Sequence, residues 1–159
     1  MDSPDVVFIV GPTGTGKTEA ALNLRHSSSI EIINADSRQV YRYMDIGTAK
    51  PSKADMEIVD HYLFDVVDPN EEYNVARFLA DARQSIITID ESGQLPLITG
   101  GTGQYIFGLI DGYRTPAVPP NPSFRADMIK KAEEEGSPGI SILKFVSFFI
   151  AASSFFIPV

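Results

Sequence analysis

The sequence contains no cysteine, which excludes disulfide bonds, thiolate metal sites and cysteine nucleophiles together. It has only two histidines, His26 and His61, and for neither is a second His, Asp or Glu at a metal-binding spacing supported by helix geometry. We therefore expect surface or polar-core roles for both. The start, MDSPDVVFIV, has no basic residue before its short apolar run, so it lacks the charged start of a secretory signal. These features favour a cytoplasmic protein.

Basic residues are also few. The chain has 13 Lys and Arg against 21 Asp and Glu, a net charge of −8, which excludes binding of nucleic acid through bulk positive charge. Any RNA contact must therefore be local. A length of 159 residues, with 43% hydrophobic and 21% charged residues, is typical of a folded chain about one domain long.

Apolar runs alternate with helix-like stretches, which predicts an α/β fold with a parallel sheet flanked by helices. Residues 6–10 are predicted as the first strand, and 16–27 as a helix with Ala20, Ala21 and Leu24 on one face. The segment EIIN, 31–34, is predicted as a short second strand.

Helical periodicity begins after Tyr73. Apolar residues at spacings of three and four predict an amphipathic helix, which ends at Gly93. These apolar residues are Val75, Phe78, Leu79, Ala82, Ile86 and Ile89. A buried strand, LPLITGG, and a helix over 102–110 follow. The segment IITIDE, 86–91, also resembles the metal-organising strand of an ATPase. The periodicity favours a helix instead, with Asp90 and Glu91 at its solvated end.

The strongest motif is GPTGTGKT, which fits G-x-x-x-x-G-K-[ST] between a predicted strand and a predicted helix. A chance match in a chain of this length has odds of roughly one in two hundred, which leaves a ligand-free turn as the minor alternative. Its backbone N–H groups and helix N-terminus favour a phosphate, Lys17 neutralises phosphate oxygens and Thr18 can hold Mg²⁺. The predicted phosphate-binding residues are Gly11, Pro12, Thr13, Gly14, Thr15, Gly16, Lys17 and Thr18.

A second motif, NADSRQVYRYMDIGTAKP, places Asp36 just past the second strand, at the sheet edge where ligands collect. A carboxylate there can bind a metal, cap a helix or accept a proton. Because DSRQ also has the composition of a helix start, the capping alternative stays open at this point.

Four segments together resemble the tRNA dimethylallyltransferases, also called tRNA isopentenyltransferases. These segments are GPTGTGKT, NADSRQVYRYMDIGTAKPS, HYLFDVVDPNEEYNVARFLADA and PLITGGTGQY. The resemblance runs from about residue 5 to about residue 136. It implies a P-loop NTPase-like core, Mg²⁺, and transfer of a prenyl group from dimethylallyl diphosphate to N6 of an adenine next to the anticodon of tRNA.

The resemblance also implies roles for individual residues. Asp36 would be the general base, and Thr102 would bond the diphosphate near the breaking bond, although Thr102 can equally cap the following helix. The tRNA-contacting positions would be Asp36, Ser37, Arg38, Gln39, Thr102 and Arg125. A solvated helix position is the alternative for Arg125. The tasks of Asp45, Gly47, Thr48 and Lys50 are not readable from the motif.

The resemblance implies a protein about twice as long as this chain of 159 residues. After residue 136 there is no counterpart to the family's later helical part, to a later catalytic-site arginine or to the basic tRNA-gripping surface. We therefore expect a truncated chain. Three alternatives to tRNA prenylation stay open: prenylation of free adenine nucleotides, a P-loop ATPase or small-molecule kinase, and a donor-binding fragment without turnover.

The expected organisation has three parts: a P-loop donor-binding core over 1–115, a proline-rich linker and start of a helical insertion over 116–139, and a hydrophobic tail over 140–159. The tail holds fourteen apolar residues and one charge, Lys144. It is interpreted as a chain end foreign to the parent fold, with a membrane anchor or a core element as alternatives. We otherwise expect a monomer without a membrane association.

Overall fold

The structure, a computed structural model, describes residues 4–113 and 121–135. These residues fall into two units, which divide after Gly112 and are described separately. The predicted boundaries near residues 115 and 139, most of the proline-rich segment and the tail over 140–159 lie outside the described residues. Within the described ranges, no helix is both long enough and apolar enough to cross a membrane.

The first unit is built on a four-stranded sheet in which every neighbouring pair of strands is parallel. The strands are β1 (Val7–Val10), β2 (Ile30–Asn34), β3 (His61–Tyr62) and β4 (Leu95–Gly100), in the spatial order β1-β4-β2-β3. The parallel α/β class predicted from the sequence is confirmed. The β2 and β4 strands are the most buried, as expected for the centre of a parallel sheet.

Four helices belong to this unit, and a fifth forms the described part of the second unit. They are α1 (Lys17–Leu24), α2 (Lys53–Ile58), α3 (Val75–Glu91), α4 (Gly103–Ile110) and, in the second unit, α5 (Pro122–Glu135). Side chains define two of the starts. Ser52 and Asp55 form a reciprocal capping box at α2, and the Asn74 side chain accepts the backbone N–H of Arg77 at α3.

Apolar residues cover both faces of the sheet, as a doubly flanked parallel sheet requires. On one face α3 and α4 pack over β2 and β4, and the rings of Phe78 and Tyr105 stack with centroids 3.9 Å apart. On the other face Ala21 of α1 packs against Ile32 and Leu97. The larger cluster lies under α3, which explains why the periodicity of this helix was strong enough to predict from sequence.

Most predicted elements are confirmed, and α3 matches its prediction closely. Its buried residues include all the predicted apolar positions after Val75. Asp90 and Glu91 are exposed at the end of the helix, so the segment IITIDE is not a strand. Gly93 follows with φ 76°, a left-handed conformation that suits glycine and ends the helix.

Three points need correction. The first helix ends at Leu24 and is followed by a turn. Of the three residues predicted to share one face only Ala21 is buried, whereas Ala20 and Leu24 are exposed. The alternative in which Asp36 caps a helix is excluded, because residues 37–40 form a turn. Finally, the sequence analysis missed α2 and β3, which are too short to carry a detectable apolar period.

Parallel pairing brings the carboxyl ends of three strands to one edge of the sheet. Val10 pairs with Gly100, and Thr99 pairs with Asn34. The phosphate loop, Asp36 and Thr102 therefore all follow strands that end side by side. The backbone at this edge is closely packed, because a Cβ atom added to Gly100 would overlap the backbone carbonyl carbon and oxygen of Ala35.

Replacement of Gly100 by alanine should therefore destabilise the protein strongly, by about 2–3 kcal/mol, because backbone atoms cannot move aside as a side chain can. The matched control is Gly47→Ala, since a Cβ atom at Gly47 would meet open space. Urea unfolding of the two variants measures the difference. Equal stability of the two variants would contradict the close approach at Gly100.

Candidate active site

The phosphate-loop sequence forms a tight turn between β1 and α1. Gly14 and Gly16 have φ values of 83° and 78°, in the left-handed region that glycine adopts at little cost. The Thr15 hydroxyl donates to the carbonyl of Pro12 at 2.9 Å and stabilises the turn. The loop thus leads directly into the N-terminus of α1, where unpaired backbone N–H groups and the helix dipole favour an anion.

Lys17 supplies the positive charge at this position. It is the first residue of α1, and its ammonium donates to the carbonyl oxygen of Pro12 at 2.7 Å. The side chain therefore folds back over the loop. Thr18 follows it in the first turn and is partly buried. This arrangement of glycines, lysine and threonine can bind a phosphate and, through the threonine hydroxyl, a phosphate-bound cation.

Asp36 is held by a network that begins with the fully buried Asn34. The Asn34 side chain accepts the N–H of Asp36 at 2.9 Å and donates to the carbonyl of Leu63 at 2.9 Å. Asp36 Oδ1 then accepts the N–H of Arg38 at 2.9 Å. Asp36 therefore caps a local turn rather than a helix, and this bond orients its carboxylate.

Thr102 lies at the position before α4 but does not cap that helix with its side chain. Its hydroxyl oxygen instead accepts the N–H of Ser37 at 2.9 Å, across 65 positions of sequence. The Thr102 N–H donates in turn to the carbonyl of Ala35 at 3.1 Å. Because a hydroxyl that accepts one bond still has its own hydrogen, Thr102 can donate to a ligand from this position.

A cavity of about 160 Å³ opens between the phosphate loop and the strand ends. Its polar side holds Lys17, Thr18, Asp36 and Gln39. The remaining lining residues are Thr13, Gly14, Gly16, Ala21, Ile32, Ala49, Pro51, His61, Phe64, Thr99 and Gly100. A positive anion-binding loop and a carboxylate therefore face one small space whose other walls are partly apolar.

His61 lines the cavity, although the sequence analysis did not include it among the site residues. Its half-buried ring is compatible with the predicted polar-core role. Its Nδ1 lies 2.6 Å from the carbonyl of Val59, which requires a hydrogen on Nδ1, and its buried Nε2 has no protein partner. Burial lowers the pKa of His61, although the Val59 carbonyl opposes the shift. Its position in the segment HYLFDVVDP was the available signal.

The loop after Gln39 is fastened to the rest of the unit by Lys50. Its side chain is only 4% exposed, and its ammonium lies 2.7 Å from carboxylate oxygens of both Asp45 and Asp65. Burial by itself lowers the pKa of Lys50, but the hydrogen bonds to these two carboxylates outweigh it and raise the pKa. Gln39 adds a bond to the carbonyl of Thr48 at 2.8 Å. Lys50 and Gln39 therefore have structural tasks in this loop.

The structure brings the predicted site residues of the first unit to one edge of the sheet, some in the cavity lining and others in the adjoining turns. Thr13, Gly14, Gly16, Lys17, Thr18, Asp36 and Gln39 line the cavity directly. Gly11, Pro12, Thr15, Ser37, Arg38 and Thr102 belong to the adjoining turns and are outside its described lining. Arg125 is exposed on α5, in the second unit, where its N–H donates to the carbonyl of Asn121. Its tRNA-contacting role stays a prediction.

The fold and this site together define a class. A parallel α/β sheet whose first strand runs through a glycine-rich loop into a helix is a phosphate-binding protein of the P-loop type. Two family models refine this: one described as IPP transferase matches residues 39–145, and one described as isopentenyl transferase matches residues 4–66. The chain belongs to the IPP transferase family, as the sequence motifs predicted.

Similar proteins agree with this membership. A tRNA dimethylallyltransferase of Roseiflexus castenholzii is 47% identical over 135 residues, which are 85% of this chain and 44% of the relative. One of Caldicellulosiruptor saccharolyticus is 45% identical over 137 residues, 86% of this chain and 44% of the relative.

Solved structures show the same fold. The tRNA isopentenylpyrophosphate transferase of Bacillus halodurans aligns with a TM-score of 0.70 and 36% identity, over 94% of this chain and 50% of that one. A eukaryotic dimethylallyltransferase acting on tRNA gives a TM-score of 0.67 and 29% identity, over 79% of this chain and 32% of that one. The P-loop NTPase-like fold is thereby confirmed. The chain spans half or less of the length of each of these relatives.

The lowered pKa of His61 gives the protein a pH-dependent stability. In the unfolded chain His61 takes up a proton as the pH falls through about 6.5, whereas the folded protein resists protonation until lower pH. This contribution to stability is therefore complete above that pH and is lost as the pH decreases toward the folded-state pKa. His61→Asn should unfold with a smaller stability loss between pH 7.5 and 5.5 than the wild type.

Urea unfolding at the two pH values measures this effect. His26→Asn is the matched control, because His26 is exposed and its removal should leave the profile close to that of the wild type. If the wild type and His61→Asn lose the same amount of stability between pH 7.5 and 5.5, the His61 ring does not contribute to the pH dependence of stability.

Proposed function

We propose that this chain transfers a dimethylallyl group from dimethylallyl diphosphate to N6 of an adenine next to the anticodon of tRNA. The observation that carries this proposal is that the phosphate loop and Asp36 line the same cavity. Membership of the IPP transferase family and the names of the relatives support the same reaction. A cytoplasmic monomer is part of this proposal.

In the proposed reaction the bond between N6 and the allylic carbon forms while the bond between that carbon and the diphosphate oxygen breaks. The diphosphate leaves with the bonding electron pair, and Asp36 accepts the proton from N6. The orienting bond from Arg38 leaves the second carboxylate oxygen of Asp36 for this proton. The carboxylate would be placed by the Asn34 network rather than by the substrate.

The leaving diphosphate gains negative charge as the carbon–oxygen bond breaks. Lys17 and the N-terminus of α1 would stabilise that charge, since both are positive and both belong to the phosphate loop. The Thr102 hydroxyl would donate a further bond, because its oxygen is already fixed by the N–H of Ser37. These groups are preorganised by backbone contacts, which is the condition for efficient electrostatic stabilisation.

Magnesium fits this set of residues if the diphosphate supplies most of its ligands. Among the residues that the structure describes, no cluster of three or more His, Cys, Asp or Glu could hold a metal by itself. Mg²⁺ is commonly bound by one or two protein oxygens together with phosphates and water. Thr18 would provide such an oxygen, and Asp36 also lines the cavity. When bound, the ion would neutralise charge on the leaving diphosphate.

For the acceptor, we propose that an adenine from the single-stranded anticodon loop enters beside Asp36, with Ser37, Arg38 and Gln39 next to it. Enzymes that modify a base commonly take it out of the stack, and RNA loops present such bases readily. Arg38 is exposed on the turn that follows Asp36 and could meet the RNA backbone. The proposal assigns Arg125 an additional contact with tRNA.

Replacement of Asp36 by asparagine should lower the transfer rate by about 10²–10⁴-fold, because the amide cannot accept the N6 proton. Binding of dimethylallyl diphosphate should change by only a few fold, since the phosphate loop is intact. The assay incubates the full 159-residue chain with Mg²⁺, labelled dimethylallyl diphosphate and unmodified tRNA, and counts label in RNA. Asp90→Asn is the matched control at an exposed helix end.

The same assay distinguishes the alternatives. Wild-type transfer in the Asp36→Asn variant would refute the role of Asp36. Donor binding without label in RNA, even with the wild-type chain, would indicate a donor-binding fragment, whereas label in free adenine nucleotides would indicate the other acceptor class. Tighter binding of ATP than of dimethylallyl diphosphate would favour a P-loop ATPase or kinase.

A further inference from the structure

The backbone around Phe64 is unusual. Leu63 and Asp65, on either side of it, have φ values of 63° and 53°, in the left-handed region that residues with a Cβ rarely adopt. Each such residue costs free energy, and two within three positions persist only when the surrounding structure enforces them. Strained positions of this kind are concentrated at ligand-binding sites. The strained backbone therefore indicates a functional role for Phe64, the residue between them.

The surrounding structure does enforce this conformation. The buried side chain of Asn34 donates to the carbonyl of Leu63 at 2.9 Å. The Asp65 carboxylate pairs with Lys50 at 2.7 Å, and the Asp65 carbonyl accepts the Arg42 Nε–H at 2.9 Å. Three long-range contacts therefore fasten the residues on both sides of Phe64, so its ring is held in one place.

That place is the wall of the cavity at the phosphate loop. Phe64 lines the cavity together with Ala21, Ile32 and His61. The rings of His61 and Phe64 meet edge to face, with centroids 5.3 Å apart and an interplanar angle of 71°. Behind Phe64 lies the buried cluster under α1, which includes Ala21 and Ile32. The apolar wall is therefore rigid and backed by the core.

The size of the cavity is informative. An apolar cavity of about 150 Å³ holds one six-carbon ring such as benzene. The cavity here measures about 160 Å³ in total and is lined by the phosphate loop as well as by the apolar wall. With the diphosphate at the loop, the space that remains at the apolar wall favours a five-carbon prenyl chain over a ten-carbon one. Phe64 is the wall residue at which the space could grow. Ala21 is already small, and Ile32 is fully buried within the central strand β2.

We propose that Phe64 is the specificity-determining residue that limits the prenyl chain of the donor diphosphate to five carbons. The inference rests on the proposed function, because it assumes that the cavity binds a prenyl diphosphate. Phe64 acts as a fixed apolar wall: it contacts the end of a short chain and collides with a longer one. The left-handed backbone conformations of Leu63 and Asp65 would direct the Phe64 ring into the cavity.

The test measures the binding of three probes to the full chain by calorimetry: inorganic diphosphate, dimethylallyl diphosphate and its ten-carbon homologue, geranyl diphosphate. The variants are Phe64→Ala, which enlarges the cavity, and Phe64→Leu, which removes the ring but keeps an apolar side chain. Phe107→Ala is the matched control, because Phe107 is 59% exposed on α4 and is not among the described lining residues. Inorganic diphosphate reports whether the phosphate loop is folded.

The wild type should bind dimethylallyl diphosphate at least about tenfold more tightly than geranyl diphosphate, a discrimination typical of a hydrophobic pocket. Phe64→Ala should reduce this ratio by about tenfold or more, mainly through tighter binding of geranyl diphosphate, and Phe64→Leu should reduce it less. Binding of inorganic diphosphate should change less than about twofold in both, and Phe107→Ala should retain the wild-type ratio. A general folding defect would weaken all three probes together.

Two results would overturn the proposal while leaving the proposed function intact: equal binding of the two prenyl diphosphates by the wild type, or an unchanged ratio in the Phe64 variants. If Phe64→Ala does not fold, the ratio in Phe64→Leu decides. If the wild type binds inorganic diphosphate but neither prenyl diphosphate, the proposed function fails, and the role of Phe64 fails with it.

Discussion

The site depends on one constraint, the parallel pairing of β1, β4 and β2. Parallel strands end at the same edge, and the register here places Gly100 beside Val10 and Thr99 beside Asn34. A different functional group follows the end of each strand: the phosphate loop follows β1, Asp36 follows β2 and Thr102 follows β4. Close contact at Gly100 and Ala35 leaves little freedom in this arrangement. Strand register thus brings groups far apart in sequence to one edge of the sheet.

Rigidity at this edge comes from buried polar groups. Asn34 connects the turn at Asp36 with the backbone of Leu63, and Thr102 connects α4 with Ser37. Lys50 joins two carboxylates that belong to separate loops. Such groups must be satisfied once they are buried, so each bond fixes the position of both partners. These bonds therefore fasten the loops around the cavity to the sheet.

Electrostatics at the site is local. The chain has a net charge of −8, and yet its cavity contains a loop suited to a polyanion. The positive potential comes from Lys17 and the end of α1, both of which act over short distances in solution. A diphosphate can be bound in this way. A tRNA needs a wider positive surface, and the chain spans half or less of the length of its compared relatives.

Local patterns in the sequence determined the parallel α/β class, α3 and the phosphate loop, because apolar periodicity and glycine spacing act over a few residues. The four motifs also determined the family. Only the tertiary structure decided the rest. The turn that follows Asp36 excluded the helix-capping alternative, and Asn34, which is bonded to Asp36 and Leu63, holds this turn in place. The placement of His61 and Phe64 in the cavity wall depends on strand pairing and on left-handed backbone, and both arise from contacts distant in sequence.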